Sequence, residues 1–361
     1  MPSWLDPGSW LGGPAAGRLD ARDDTEVRRF LGLLAPRDPA GLERMAQSAL
    51  SLTRRHFGRT ISLYAPLYLS NYCPGGCAYC GFASDRPQQR MKLDGAALQK
   101  EMDALKALGI EDVLLLTGER TEEVGFEYLL ECVGRAARRF HRVSVEAFAM
   151  DTDEYRRLGD AGCTGITLYQ ETYDPELYEE LHRWGPKKDY TCRLDAPARA
   201  LEAGLRAVGI GVLLGLGDPT FDAVCLFRHI LYLRRRFWQA GILVSFPRVC
   251  SQEGGYRPAH EMSDNSLAQM IFAFRMCLPD VPLVLSTRER PALRDGLAGL
   301  GISRMSVASR TTVGGYGDSP ASEKGQFDVN DGRDVATFCD ALRGKKLEPV
   351  FKNWDAVLSL P

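Results

Sequence analysis

The chain has 361 residues, with 45 Lys plus Arg against 47 Asp plus Glu, a formal charge of −2. A hydrophobic fraction of 45% and a charged fraction of 25% are those of a globular protein with a sizeable core. Near-neutral charge removes the bulk electrostatic case for a nucleic-acid partner, and no apolar run reaches the ~18 residues of a membrane helix. Met1 to Gly13 has neither a basic nor an apolar signal segment, so a cytoplasmic, reducing setting is expected for the 10 cysteines.

Residues 1–22 are rich in Gly, Pro and Trp and read as irregular. Residues 24–56 carry amphipathic helical spacing, with Asp38 placed to cap the second of two helices. An apolar run follows at 61–70, bounded by turn residues and too short for a core helix, so a strand is expected. From there strands are expected at 112–117, 143–148, 166–171, 209–215, 242–247, 281–287 and 303–308. Helices are expected between them at 94–109, 121–140, 151–161, 193–208, 220–240, 263–278 and 290–300. Gly109, Gly162, Gly209, Gly241 and Gly301 stand where helix C-caps favour glycine. After the Gly-rich segment Thr312–Gly317 the alternation stops, and one more helix is expected near 331–343.

Eight strands alternating with helices over roughly 250 residues fit an α/β fold of the (β/α)8 TIM-barrel type, with an open doubly wound sheet as the alternative. The expected division is an N-terminal helical extension over 1–60, the barrel over 61–311 and a C-terminal extension over 312–361 that packs on it. Polar groups recur at the strand ends: the Cys loop after 61–70, Thr117 to Arg120, Glu146, Gln170-Glu171, Arg248, Thr287 to Glu289, and Ser306 to Arg310. Barrel enzymes assemble their sites at that rim.

Three cysteines lie within eight residues, Cys73-Pro-Gly-Gly-Cys77-Ala-Tyr-Cys80, in a loop whose glycines let the backbone wrap closely. Thiolates bind soft or borderline metals. A structural zinc site would need a fourth ligand, and no second Cys-x2-Cys exists. Three inert buried cysteines are the plainer alternative. An iron–sulfur cluster held by only three of these thiolates leaves one iron open, as catalysis requires. The other seven cysteines are isolated and read as small buried hydrophobes. Arg234 to Arg236 reads as a solvated helix face; His260 falls in a loop near the rim, with no histidine cluster around it.

Cys73-x3-Cys77-x-Tyr79-Cys80 resembles the signature of the radical S-adenosylmethionine (SAM) enzymes. The resemblance implies a [4Fe–4S] cluster on Cys73, Cys77 and Cys80, with SAM chelated to the open iron. Thr117-Gly118-Glu119 resembles the family's Gly-Gly-Glu segment, with Thr for the first Gly, and implies a backbone that receives the SAM amino group. Glu146 resembles the acidic residue at the ribose, and Arg193 the helix arginine at the SAM carboxylate. Tyr79 and Phe82 resemble residues near the adenine, and Glu171 is taken as a further SAM contact.

Further segments resemble the aromatic-amino-acid lyase branch, above all its tyrosine lyases of thiamine biosynthesis. They are Pro66–Asn71, Tyr169–Tyr173, Gly185–Tyr190, Ser245–Arg248, Leu285–Glu289, Gly314–Tyr316 and Asn353–Asp355. Some relatives carry His where this chain has Asp174. That resemblance implies cleavage of the Cα–Cβ bond of L-tyrosine to 2-iminoacetate and p-cresol. It also implies a thiazole synthase to receive the imine and a flavodoxin- or ferredoxin-type reductant. A zwitterionic substrate needs a fixed cation, and Arg288 offers a guanidinium fork for its carboxylate. Tyr68 is expected near the amine, with Gln170 and Ser306 as further substrate contacts. Alternatives are a tryptophan lyase making an indolic acid, and a non-catalytic iron–sulfur regulatory protein. A hydrogenase-maturation tyrosine lyase would carry a second Cys cluster near its C-terminus, where this chain has only Cys339.

Overall fold

The alternating pattern closes on itself in space. The computed structural model describes residues 21–317 and 321–352. Of the stretch 1–22, expected to be irregular, residues 1–20 lie outside the described residues while Ala21 and Arg22 belong to the first helix, and the segment Asn353–Asp355 also lies outside them. In chain order the elements begin α1 (Ala21–Leu34), α2 (Pro39–Phe57), β1 (Thr60–Tyr68), α3 (Gly95–Ala107), β2 (Asp112–Leu116) and α4 (Phe126–Ala137). Then come β3 (Arg142–Glu146), α5 (Thr152–Asp160), β4 (Gly165–Thr167), α6 (Pro175–Leu181), α7 (Tyr190–Glu202), β5 (Ala207–Gly211) and α8 (Pro219–Arg236). The remainder is β6 (Gly241–Ser245), α9 (Asp264–Cys277), β7 (Leu283–Leu285), α10 (Pro291–Leu297), β8 (Arg304–Ser306), α11 (Val335–Gly344) and β9 (Glu348–Val350).

Strands β1 to β8 pair in sequence order, all parallel, and β1 pairs with both β2 and β8. This closure excludes the open sheet, which would leave β1 or a neighbour as an edge. Strand β1 is long enough for two partners on one edge: Ala65–Tyr68 face β2, while Thr60–Ser62 face β9. No pattern along the chain announces β9, a three-residue strand whose formation depends on the start of β1. Helix α6 was also unanticipated, although Asp174-Pro175 is an N-cap followed by N1 proline; Asp174 accepts from the N–H groups of Glu176 and Leu177. The residue that departs from some relatives thus has a local structural task.

Gly109 and Gly162 adopt positive φ at helix ends, as expected; Gly301 also has positive φ but lies beyond the end of α10, which is followed by Gly299 at φ 72°. Gly209 and Gly241 do not: Gly209 lies inside β5, which begins at Ala207, two residues earlier than its apolar run suggested, and Gly241 opens β6. Gly204, at φ 96°, makes the turn instead. Gly209 is small because Thr167 of the neighbouring strand packs there, 2.7 Å from where its Cβ would stand.

Helices α1 and α2 lie against α8 and α9. Phe30 stacks on Phe227 at 4.4 Å and meets Phe274 edge-on at 4.6 Å, tying α1 into the same apolar core as the barrel. At the N-terminal mouth of the barrel charge pairing ties the strands together, beside a cavity lined by Thr60, Ser62, Arg142 and Arg304. Arg304 forms two hydrogen bonds to Asp112, at 2.7 and 2.9 Å, across β8, β1 and β2, and lies over the Tyr64 ring. Arg234 and Arg236 are exposed and pair with Asp280 and Glu202, consistent with a solvated face. No helix among the described residues is long and apolar enough to cross a membrane.

Candidate active site at the C-terminal mouth of the barrel

The loop after β1 carries Cys73, Cys77 and Cys80, all free thiols. Hydrogen bonds hold this loop from both sides. Asn71 exchanges bonds with the 89–91 segment, and Arg90 donates to the carbonyls of Asn71, Phe82 and Ala83 at 2.7, 2.8 and 2.6 Å. The stretch after α6 braces the other side: Ala78 N–H donates to Leu181 O, Gly76 N–H to Trp184 O, and Arg183 to Gly76 O. Gly76 lies against the Trp184 indole, where any Cβ would overlap the ring. Arg90 and Trp184 went unnoticed in the sequence because their partners are backbone atoms of the loop.

The sulfurs face backbone donors. Glu119 N–H points to Cys73 Sγ and Phe82 N–H to Cys80 Sγ, both at 3.4 Å. A Cβ at Gly75 would lie 3.5 Å from Cys73 Sγ and 3.9 Å from Cys77 Sγ, so the thiols gather around a bare stretch of backbone. At Gly118 a Cβ would overlap Tyr72 O and come within 2.7 Å of Cys73 Cβ, which is why the β2 loop can approach the cysteines. Burial pushes the Cys73 thiol up to about 11 and the Cys77 thiol to about 12, so a bound cation is needed to hold them as thiolates. Among the described residues no three His, Cys, Asp or Glu side chains converge on a point that holds one ion. Three free thiols on one loop suit a cluster, in which each thiolate binds a separate iron.

Beside Cys77 lies a buried ionic network. Arg193 of α7 donates through Nε to Tyr169 O at 2.7 Å and faces Glu119 at 3.4 Å and Glu171 at 3.6 Å. Lys187 pairs with Glu171 at 2.6 Å. Glu171 holds this position with φ 71°, a left-handed conformation that costs a non-glycine residue energy and gathers at functional sites. Tyr79 bonds His182 at 2.6 Å, with Lys187 over its ring. Phe82 is buried and meets Tyr68 edge-on at 5.7 Å. Thr117 turns its hydroxyl to Gly118 O at 2.7 Å, beside Glu119.

Glu146 ends β3 at the mouth, and no side chain among the described residues hydrogen-bonds its carboxylate. Burial, with Glu171 nearby, raises its pKa to about 7, against the pull of Arg288. Gln170 is buried with both amide atoms unpartnered. Such a group is costly unless a ligand completes it. Arg288 stacks over Phe327 at 3.4 Å and forms no ion pair among the described residues; its neighbour Glu289 is taken by Arg248. Ser306 accepts from Thr287 N–H at 3.1 Å, which fixes the turn that carries Arg288. Tyr68 donates to Gln326 at 2.8 Å. The fold therefore brings all the anticipated residues to one mouth. It adds Lys187, whose segment the sequence singled out without a role, and Gln326, which no motif marked.

A closed parallel barrel with a three-cysteine loop after its first strand, facing a glycine-led β2 loop, defines a radical SAM protein. The profile of the radical SAM superfamily matches residues 67–227, and that of the biotin and thiamin synthesis associated domain matches residues 245–348. The chain is 39% identical over 339 residues to the 2-iminoacetate synthase of Salmonella typhimurium, covering 94% of this chain and 88% of the relative. It is likewise 39% identical to that of Escherichia coli, over 93% of this chain and 88% of the relative. It belongs to the 2-iminoacetate synthase family of radical SAM enzymes. The [FeFe]-hydrogenase maturase HydG from Carboxydothermus hydrogenoformans shares the fold, with a TM-score of 0.84 and 31% identity over 92% of this chain and 80% of that chain. Cys339, the one late cysteine, is buried in α11 as a small hydrophobe. The cofactors of this class are a [4Fe–4S] cluster and SAM. The spaced thiols, the cradle at Gly118 and the orphaned Gln170 fit both.

Proposed function

We propose that this chain is a radical SAM tyrosine lyase that cleaves the Cα–Cβ bond of L-tyrosine to 2-iminoacetate and p-cresol. The carrying observation is a rim that keeps Arg288 free of carboxylate partners in a chain closely similar to 2-iminoacetate synthases. When bound, the cluster and SAM supply a 5′-deoxyadenosyl radical able to remove a hydrogen atom from the substrate.

The chain's own residues hold and orient. Cys73, Cys77 and Cys80 would hold the cluster. The Thr117-Gly118-Glu119 backbone would receive the SAM amino group and Arg193 its carboxylate, while Glu146 would accept from the ribose hydroxyls. Tyr79 and Phe82 would border the adenine, and Glu171 keeps Arg193 and Lys187 in place. Arg288 would grip the tyrosine carboxylate bidentately, Tyr68 would meet its amine, and Gln170 and Ser306 would complete the polar contacts. The segment around Gln326 and Phe327 lies across the mouth and excludes water from a reactive intermediate. The reactive imine calls for transfer to a thiazole synthase, and the cluster for a flavodoxin- or ferredoxin-type donor. A reducing interior such as the cytoplasm would keep these thiols free.

Anaerobic reconstitution with SAM, dithionite and either tyrosine or tryptophan tests this reading. Deoxyadenosine and p-cresol from tyrosine are expected, and their absence in Cys77→Ala together with loss of iron. Turnover of tryptophan alone would replace tyrosine with an indolic chemistry. A full cluster that never cleaves SAM would leave only the regulatory alternative.

A further inference from the structure

Gln326 stands 246 residues from Cys80 in the chain and touches it in the fold. Its backbone is pinned on both sides: its N–H donates to Thr311 O at 3.2 Å, and its carbonyl accepts from Gly81 N–H at 3.1 Å. A Cβ at Gly81 would stand 2.7 Å from that carbonyl, so the close approach requires glycine. The side chain then reaches two ways. Nε2 lies 3.7 Å from Cys80 Sγ, and Oε1 lies 2.8 Å from the Tyr68 hydroxyl. The next residue, Phe327, carries Arg288 on its ring face.

We propose that Gln326 is a positioning residue that joins the cluster ligand Cys80 to Tyr68 and sets the polarity of the Tyr68 hydroxyl toward the substrate amine. The proposal rests on the tyrosine-lyase reading above. A cysteine thiolate accepts hydrogen bonds and donates none, so the amide NH2 must face the sulfur. The amide oxygen then faces Tyr68, whose single O–H is committed to it. Toward the mouth the phenol has only lone pairs to offer. It accepts an amine N–H there and rejects an acceptor. On the other side, an N–H···S bond to a cluster ligand favours the reduced cluster, because hydrogen bonds to the sulfurs help set the potential. One side chain therefore acts on two properties that are measured separately.

The test uses the full-length reconstituted protein with Gln326→Leu, Gln326→Glu and Tyr68→Phe, checked for equal iron content. The potential is read by EPR-monitored titration without tyrosine, and tyrosine KM is read separately from kcat. Gln326→Leu should move the potential in the negative direction and raise tyrosine KM about tenfold, the size of one hydrogen bond. Gln326→Glu, as a carboxylate, still accepts from Tyr68 but donates nothing to sulfur, so it should raise KM less than Gln326→Leu does and still shift the potential. A potential that stays at the parent value in both variants, or a KM unchanged in Gln326→Leu, overturns the proposal. An unchanged KM in Tyr68→Phe overturns instead the placement of Tyr68 on which it rests. Parent protein that forms no p-cresol overturns the tyrosine-lyase reading itself.

Discussion

The two mouths of the barrel carry similar side chains in opposite states. At the N-terminal mouth Arg304 and Asp112 neutralise each other in a bidentate pair, so the charges there are spent on holding strands together. At the C-terminal mouth, among the described residues, Glu146 has no hydrogen-bonded partner, Arg288 no carboxylate, and the buried Gln170 amide nothing to bond. Each of those is a local cost that folding alone would remove. The contrast separates a mouth organised for stability from one held ready for ligands, the usual division of labour in barrels. Among the described residues it is Glu146, Arg288 and Gln170, more than charge as such, that set the C-terminal mouth apart.

The sharpest way to break this contrast is Glu146→Gln. SAM cleavage should fall by about 100-fold or more, the size expected when a charge-assisted contact to the cofactor is lost together with its orienting effect. The same variant should stabilise the cluster-free protein. Glu146 has a folded-state pKa of about 7 against 4.5 in the unfolded chain. Between those values the folded state keeps a proton that the unfolded state releases, so parent stability falls as pH rises from 4.5 to 7 and stays lower above it. Glutamine does not titrate. Denaturant unfolding at pH 8 should favour the variant by of order 2 kcal/mol, and the gap should close toward pH 4.5. A variant no more stable at pH 8 would mean that Glu146 is not held at a cost.

Arg288→Met should come next, raising tyrosine KM by about 30-fold, with Arg288→Lys recovering only part, since an ammonium lacks the fork. SAM affinity, measured by isothermal titration, should not move. Equal losses for SAM and tyrosine would place Arg288 at the cofactor instead. The smallest effect on turnover belongs to the opposite mouth. Arg304→Met should leave kcat within about twofold of the parent while costing about 3–5 kcal/mol in denaturant unfolding, because Asp112 loses its bidentate partner. A large drop in kcat with unchanged stability would erase the distinction between the two ends.

Much of the fold was legible because its signals are local. Strands β1 and β2 each contain an apolar run bounded by turn residues, and a capping residue such as Asp38 announces the helix that follows. Strand β9 and the true start of β5 escaped because a three-residue strand and a strand register are decided by partners, here Thr60–Ser62 and Gly165–Thr167. The site divides in the same way. The cysteines, Glu146, Arg193 and Arg288 could be read from spacing, strand-end position or resemblance. Lys187, Arg90 and Gln326 could not, since what singles them out is a contact with Glu171, with loop carbonyls, or with Cys80 and Tyr68.

The sequence by itself determined which groups exist and roughly where along the chain they fall. It supplied three thiols in a glycine-bearing loop, polar residues at strand ends, and enough alternation to require a parallel α/β sheet. Only the tertiary structure decided that the sheet closes, that Glu289 is drawn to Arg248 and leaves Arg288 without a carboxylate, and that a residue from the C-terminal part of the chain spans Cys80 and Tyr68. The reason is physical. Periodicity and capping act over a few residues, whereas charge compensation depends on distances that exist only once β7, β8 and the first loop have been brought to one mouth.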